Sequence, residues 1–248
     1  MKKVFKMTAL MLCAAAMMTA CNCNNSSCNT NENKAENKTE DKTAEFEKKA
    51  AEFKATLGSG NSIIGERIDA NVQKVFYLDP NQDNYGYGAN PIINIMMHDY
   101  ATDQTQAILP ETERITEYLD YGELVENKEP GFNHCFNLDF RSSEILGDRL
   151  FMMIHTECSF EMETSLLFYV NLLDNTLHYV TDCDEVNYNK AKGTIDVNKE
   201  LMKAAGADLS HDFTISASST DKEYAAMRSE NEELENKMVE KWREENLD

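Results

Sequence analysis

The chain is short of positive charge: its 248 residues carry 24 Lys and Arg against 44 Asp and Glu, a formal net charge of −20 at pH 7. Such a surface repels phosphate backbones, which excludes nucleic acid as an expected partner. The chain also lacks an apolar run of the roughly 20 residues that a membrane-spanning helix needs. Nucleophile motifs of the Gly-x-Ser-x-Gly type and Gly-rich phosphate loops are missing, and Gly86 and Gly88 sit in a Tyr-rich turn instead of between a strand and a helix. The cysteines match no zinc pattern, and no two of His98, His134, His155, His178 and His211 stand at metal-ligand spacing. No cofactor, metal or catalytic set is expected. The chain reads as a binding protein more readily than as an enzyme.

What is present begins at the N-terminus. Lys2, Lys3 and Lys6 precede an apolar stretch, Met7 to Ala20, of signal-peptide length. It ends in Met18-Thr19-Ala20-Cys21, which resembles the lipobox of bacterial lipoproteins: an apolar residue, two small ones, then cysteine. Met18 stands where leucine is usual, and the resemblance covers residues 1–21 only. It implies a signal peptide over 1–20, cleavage before Cys21, a diacylglycerol on the Cys21 thiol and usually a further acyl chain on the new amine. Each buried CH₂ contributes about 0.8 kcal/mol, so two or three chains hold a soluble domain on a membrane. The alternative is an ordinary secretory signal cut near Ala20 without lipid. In enterobacterial lipoproteins an aspartate after the cysteine resembles an inner-membrane retention mark; Asn22 in its place implies the outer membrane over the inner. Losing Lys2, Lys3 and Lys6 leaves 21 bases against the same 44 acids.

Of seven cysteines, Cys13 leaves with the signal, Cys21 is the lipidation residue, and Cys23 and Cys28 lie in a polar tail. Cys135, Cys158 and Cys183 remain, enough for one bridge or for single buried thiols. Residues 21–42 are rich in Asn, Lys and Glu with nothing apolar to bury, so they predict a disordered stalk. Over 43–58, Phe46, Ala50, Phe53 and Leu57 recur at helical spacing before Gly58, which predicts one short amphipathic helix packed on the domain.

Residues 59–216 form the expected β-rich domain. Strands are predicted at Lys74–Leu78, Ile92–His98, Thr105–Leu109, Cys135–Phe140, Arg149–His155, Ser165–Leu172 and Thr176–Thr181, with hairpin turns at Ala101–Gln104 and Leu173–Asn175. Three strands around Phe76, Ile95 and Ala107 have counterparts around Met152, Phe168 and Tyr179, with Thr105 and Thr176 setting an offset of 71. Four antiparallel strands in sequence resemble a β-propeller blade. Propellers have at least about four blades, and two units are too few to close a ring. The fold class is therefore mainly β (antiparallel meander, sandwich or propeller-like sheet) with flanking N- and C-terminal α-helices. A helix is predicted from Val197 to Ala205 and a last strand at Phe213–Ser216. An acidic C-terminal helix spans 217–248, opened by the capping box Thr220-Asp-Lys-Glu223. Its stripe of Tyr224, Met227, Leu234, Met238 and Trp242 favours docking on the domain over a coiled coil.

The candidate ligand-binding residues are Asp79, Asn81, Asp83, Tyr85 and Tyr87, in a segment that joins oxygen donors, glycines and tyrosines between two strands. Its alternate oxygens resemble the first half of a calcium loop, but Asn84 and Asn90 stand where an EF-hand needs Gly and Glu. The expected function is that of an envelope-anchored protein binding a small molecule, glycan or protein, with the membrane as a partner through Cys21. The alternatives are an envelope hydrolase using acids such as Asp79, Asp99 or Glu157, and a structural subunit joined to its complex through the C-terminal helix.

Overall fold

A computed structural model describes residues 32–85, 91–109, 137–158, 162–202 and 209–246 of the chain. A helix, α1 (Glu32–Thr56), precedes four strands, β1 (Ser62–Ile68), β2 (Gln73–Tyr85), β3 (Pro91–Asp99) and β4 (Gln104–Leu109). Four more follow: β5 (Asn137–Leu146), β6 (Arg149–Cys158), β7 (Met162–Asn171) and β8 (Leu177–Asp182). Three strands, β9 (Glu185–Asn189), β10 (Thr194–Met202) and β11 (Leu209–Ser216), lead to the C-terminal helix α2 (Asp221–Asn246). The strands make three antiparallel sheets, each a meander in sequence order: β1–β4 (sheet A), β5–β8 (sheet B) and β9–β11 (sheet C). The fold is mainly β with a helix at each end, as the pattern of strands, turns and helical spacing predicts.

The sheets stack face to face. Leu150, Met152, Ile154, Leu166, Phe168 and Val170 of sheet B pack with Phe76, Ile95 and Met97 of sheet A. The alternate residues Phe151, Met153, Leu167 and Tyr169 pack with Ile195, Val197 and Ile215 of sheet C. Because side chains alternate across a strand, burial of both faces makes β6 and β7 apolar at nearly every position. On the far face of sheet A, Val75 and Tyr100 meet Ala50, Phe46 and Phe53 of α1, which covers that layer. On the far face of sheet C stand Glu185, Asn187, Asp196, Asp212 and Thr214, all exposed, so the stack ends in water there.

Turn chemistry repeats between sheets A and B. Asp99 Oδ1 accepts from the Ala101 and Thr102 amides, and Asn171 Oδ1 accepts from Leu173. Asp103 and Asn175 each adopt positive φ, 56° and 64°, which Asp and Asn tolerate. These matches set the offset at 72, one more than the two threonines imply. A buried Lys74 links the layers by donating to the Leu172 carbonyl at 2.6 Å and to Asn175 Oδ1 at 2.7 Å across the sheet A–sheet B boundary.

Several expectations are corrected. β1 and β9 belong to the sheets in addition to the strands predicted within the β-rich region. The helix predicted from Val197 is strand β10: Ile195 and Val197 alternate with Asp196 and Asn198 and pair with β9 and β11. Period two prevails there because both neighbours supply ladder partners; residues 203–208 lie outside the described set. α1 starts at Glu32, within the segment read as stalk. Its Glu, Lys and Ala are good helix formers, and a segment with nothing to bury can still coil into a helix. Residues 21–31 lie outside the described residues.

At the C-terminus the capping box forms as predicted. The Thr220 amide donates to Glu223 Oε2 at 2.7 Å, and the Glu223 amide donates to Thr220 Oγ1 at 3.3 Å. Asp221 in the first turn accepts from Tyr169 Oη at 2.7 Å and lies 2.8 Å from His178 Nδ1. Arg149 Nη1 donates to the Ala217 and Ser219 carbonyls while its guanidinium stacks 4.3 Å over the Tyr169 ring. The helix is thus pinned to sheet B at its start.

If sheet B is a middle layer, neighbouring residues of β7 are both core. Leu166→Ala and Leu167→Ala should each cost about 2–5 kcal/mol in urea unfolding. A small loss at either one would mean that its face is not covered.

Candidate functional site

The structure disperses the residues singled out from sequence. Asp79 is half-buried in β2, where its Oδ1 accepts from Asn61 Nδ2 at 3.0 Å. What reads as a loop from Asp79 is strand as far as Tyr85, which pairs with Pro91. Pro80 is tolerated there because β1 ends at Ser62, opposite Leu78, so its missing N–H has no strand to face. Asn81, Asp83 and Tyr85 lie on this arm with their side chains outside the described residues, as are Tyr87 and Cys21 altogether. Asp79 and Asp99 do not form a carboxylate pair. Asp79 pairs with Asn94, five residues along β3 from Asp99, or ~17 Å at the usual rise, well beyond the spacing glycoside hydrolysis needs. Asp99 spends its carboxylate on a turn.

The described histidines are equally scattered. His98 is buried, stacked 3.8 Å from the Phe53 ring, with Nδ1 2.8 Å from Thr105 Oγ1. Burial holds its pKa below the ordinary value, against the opposing pull of Asp103 and Asp99. His155 lies 2.9 Å from Ser165 Oγ. No group of three His, Cys, Asp or Glu fit to hold a metal occurs among the described residues. Cys183 is a free buried thiol whose pKa is pushed up to about 12 by burial and then by Asp182 and Asp184. It therefore stays protonated and unreactive at neutral pH.

A different cluster does come together, in a cleft of about 420 Å³ between α2 and the edge of sheet B. Lys199, from β10, reaches Asp182 Oδ2 of β8 at 2.7 Å and Glu235 Oε2 of α2 at 2.6 Å. His211 Nδ1, from β11, lies 3.2 Å from the other Glu235 oxygen. Lys199 and His211 are direct partners in the β10–β11 ladder, so one carboxylate on α2 caps a cross-strand pair. Arg228 donates to the Val180 carbonyl at 2.8 Å and sits 4.8 Å over the Tyr179 ring. Asn231 Nδ2 is buried with no hydrogen-bond partner among the described residues.

The electrostatics decide what this cluster can do. Burial pushes the Lys199 pKa down, but Asp182 and Glu235 outweigh it and the net shift is upward. The amine stays an ammonium, a donor unable to act as nucleophile or base. Both Glu235 oxygens are engaged. Among the described residues the buried polar group left without a partner is the Asn231 amide nitrogen, which suits a water or an acceptor group of a ligand. The cluster is built to hold a helix and to donate a hydrogen bond, not to transfer a proton.

The cluster was not legible in the sequence because its polar residues sit inside a helix whose apolar stripe, by spacing, runs through Leu234. Leu234 is 46% exposed, whereas Glu235 is 7% exposed. The docked line is Tyr224, Arg228, Asn231 and Glu235, spaced 4, 3 and 4. The signal was the same heptad spacing, carried by polar residues. The chain matches no family model, no curated protein and no solved structure.

Glu235→Ala would strand Lys199 and His211 with one carboxylate fewer, and should lower stability by about 1–3 kcal/mol in urea unfolding. Leu234→Ala, one residue away, should stay within about 0.5 kcal/mol; equal losses would reject this docking face. The tyrosines give a pH test. Burial lifts the Tyr224 and Tyr188 hydroxyls to about 12. Unfolded tyrosine ionises near 10, so above that pH the unfolded state binds fewer protons than the native one and stability falls. The thermal midpoint should drop steadily from about pH 10 upward, with the phenolate absorbance of these residues appearing only on unfolding. Full tyrosine ionisation before unfolding would contradict it.

Proposed function

We propose that this chain is a lipid-anchored protein of the cell envelope, held to the outer membrane through Cys21, whose β stack binds a ligand or partner at the end turned away from the bilayer. The observation that carries this reading is the direction of α1. Its Lys49 ammonium donates to the Tyr100 carbonyl at the β3–β4 turn, whereas the residues after it reach Leu78 and Asp79 through Asn61. The helix therefore enters at the end of the short β1–β2 and β3–β4 turns and runs toward the β2–β3 arm. The anchor lies before the helix, so the short-turn end is the tether end. The arm bearing Asp79, Asn81, Asp83 and Tyr85 stands at the opposite end.

The length of α1 fits a spacer. From Glu32 to Phe46, which packs on sheet A, the helix rises ~21 Å, a length that can hold the domain off a surface. Docking through Phe46, Ala50 and Phe53 makes that rod part of the domain, so the far end is aimed outward rather than left to tumble on a string. The net charge keeps the body from lying on anionic headgroups.

Labelling with radioactive palmitate followed by membrane fractionation tests the anchor. The wild-type chain should carry label and pellet with membranes, and Cys21→Ser should lose both; label or membrane retention in that variant would reject anchoring at Cys21. The binding end is tested by thermal unfolding of the mature chain against glycan and peptide panels. A true ligand present at 100 times its Kd adds about 2.7 kcal/mol, and Tyr85→Ala should weaken it at least tenfold.

A further inference from the structure

We infer that the cleft at the tether end of the stack, between the β5–β6 and β9–β10 turns, is a binding site for a phosphate group. The cleft encloses about 630 Å³, within the usual range for small-ligand sites. In a chain of net charge −20 its lining holds three cations, Arg149, Lys190 and Lys192, and one carboxylate, Asp148. Asp148 Oδ1 is already taken by Arg67 at 2.6 Å. This inference goes beyond the proposed function; the cleft and its cations stand without that reading, and only the lipid-headgroup source rests on it.

The donors differ in freedom. Arg149 lines the cleft already ordered, with Nη1 donating to the Ala217 and Ser219 carbonyls and to Tyr224 Oη and the guanidinium stacked on the Tyr169 ring. A planar guanidinium matches phosphate oxygens in pairs. Lys190 lies 2.9 Å from Glu144, but its side chain is 67% exposed, and such a surface pair is easily exchanged for another anion. The Lys192 ammonium has no partner among the described residues. Ser216 and Ser218 add hydroxyls 2.9 Å apart on the third wall. The turns themselves stay low: Gly147 and Gly193 adopt φ of 60° and 64°, and a Cβ on either would meet nothing within 4 Å. A phosphate can thus approach the turn backbone between the cations.

The phosphate has two sources, a lipid headgroup on the tether side or a soluble phosphorylated compound. The mature chain with Cys21→Ser is titrated with inorganic phosphate and with glycerol phosphate, against chloride at matched ionic strength, and followed by thermal unfolding. Phosphate should raise the midpoint saturably where chloride does not. The double variant Lys190→Glu/Lys192→Glu, on exposed turn positions, should keep its midpoint in chloride and lose phosphate affinity tenfold or more. Lys237→Glu/Lys241→Glu on exposed α2 positions makes the same charge change and should bind as wild type. Cosedimentation with phosphatidylglycerol but not phosphatidylcholine vesicles, competed by glycerol phosphate, assigns the headgroup; a midpoint shift without vesicle binding assigns the soluble compound. Equal effects of phosphate and chloride, undiminished phosphate binding in the first double variant, or an equal loss in the second would each overturn the site.

Discussion

Sheet B has no face in water, and the rest of the molecule follows from that. A sheet apolar on both sides has to be covered twice, so sheets A and C are requirements of β6 and β7 more than independent units. Each fully buried aliphatic or aromatic side chain on those strands is worth about 1.5–3 kcal/mol relative to exposure, and they supply nearly every residue from Leu150 to Ile154 and from Leu166 to Val170. Covering one layer creates the next demand. The outer face of sheet A is still apolar at Val75 and Tyr77, and α1 closes it with Phe46 and Phe53. The outer face of sheet C is acidic and polar, and needs no cover.

This capping also separates the architecture from a closed ring. Three blade-like meanders stacked by their faces have the local form of a propeller segment, but closure needs an apolar surface at both ends of the stack. Here one end is already occupied by a helix and the other carries Glu185, Asp196 and Asp212. The stack is finite by composition of its terminal faces.

The two helices are held by different physics. α1 docks through aromatic contacts, including the Phe53–His98 stack. α2 sets Tyr224 and Met227 into the core between sheets B and C and adds polar contacts along its length: Asp221 at its start, Arg228 in its second turn and Glu235 over Lys199 and His211. Charged pairs that leave water recover the cost only with good geometry and several partners. Such contacts specify position more sharply than grease does, which suits a helix that runs ~16 Å beyond Glu235 and has to point in one direction.

The sequence alone determined the class of the fold and most of its strands, because alternation and turn residues are local properties. The hairpins at Asp99–Gln104 and Asn171–Thr176 and the Thr220–Glu223 cap were legible for that reason. Tertiary structure decided whatever depended on partners distant in the chain. β10 is a strand because β9 and β11 flank it, and Glu235 is buried because Lys199 and His211 wait beneath it. Arg149, Lys190 and Lys192 share a cleft because three turns end on one side of a stack. No spacing along the chain records such meetings, since the groups that make them are joined by layer packing and not by periodicity. The resemblance to a lipobox lies at the other extreme: it rests on four consecutive residues, Met18 to Cys21, and owes nothing to the fold.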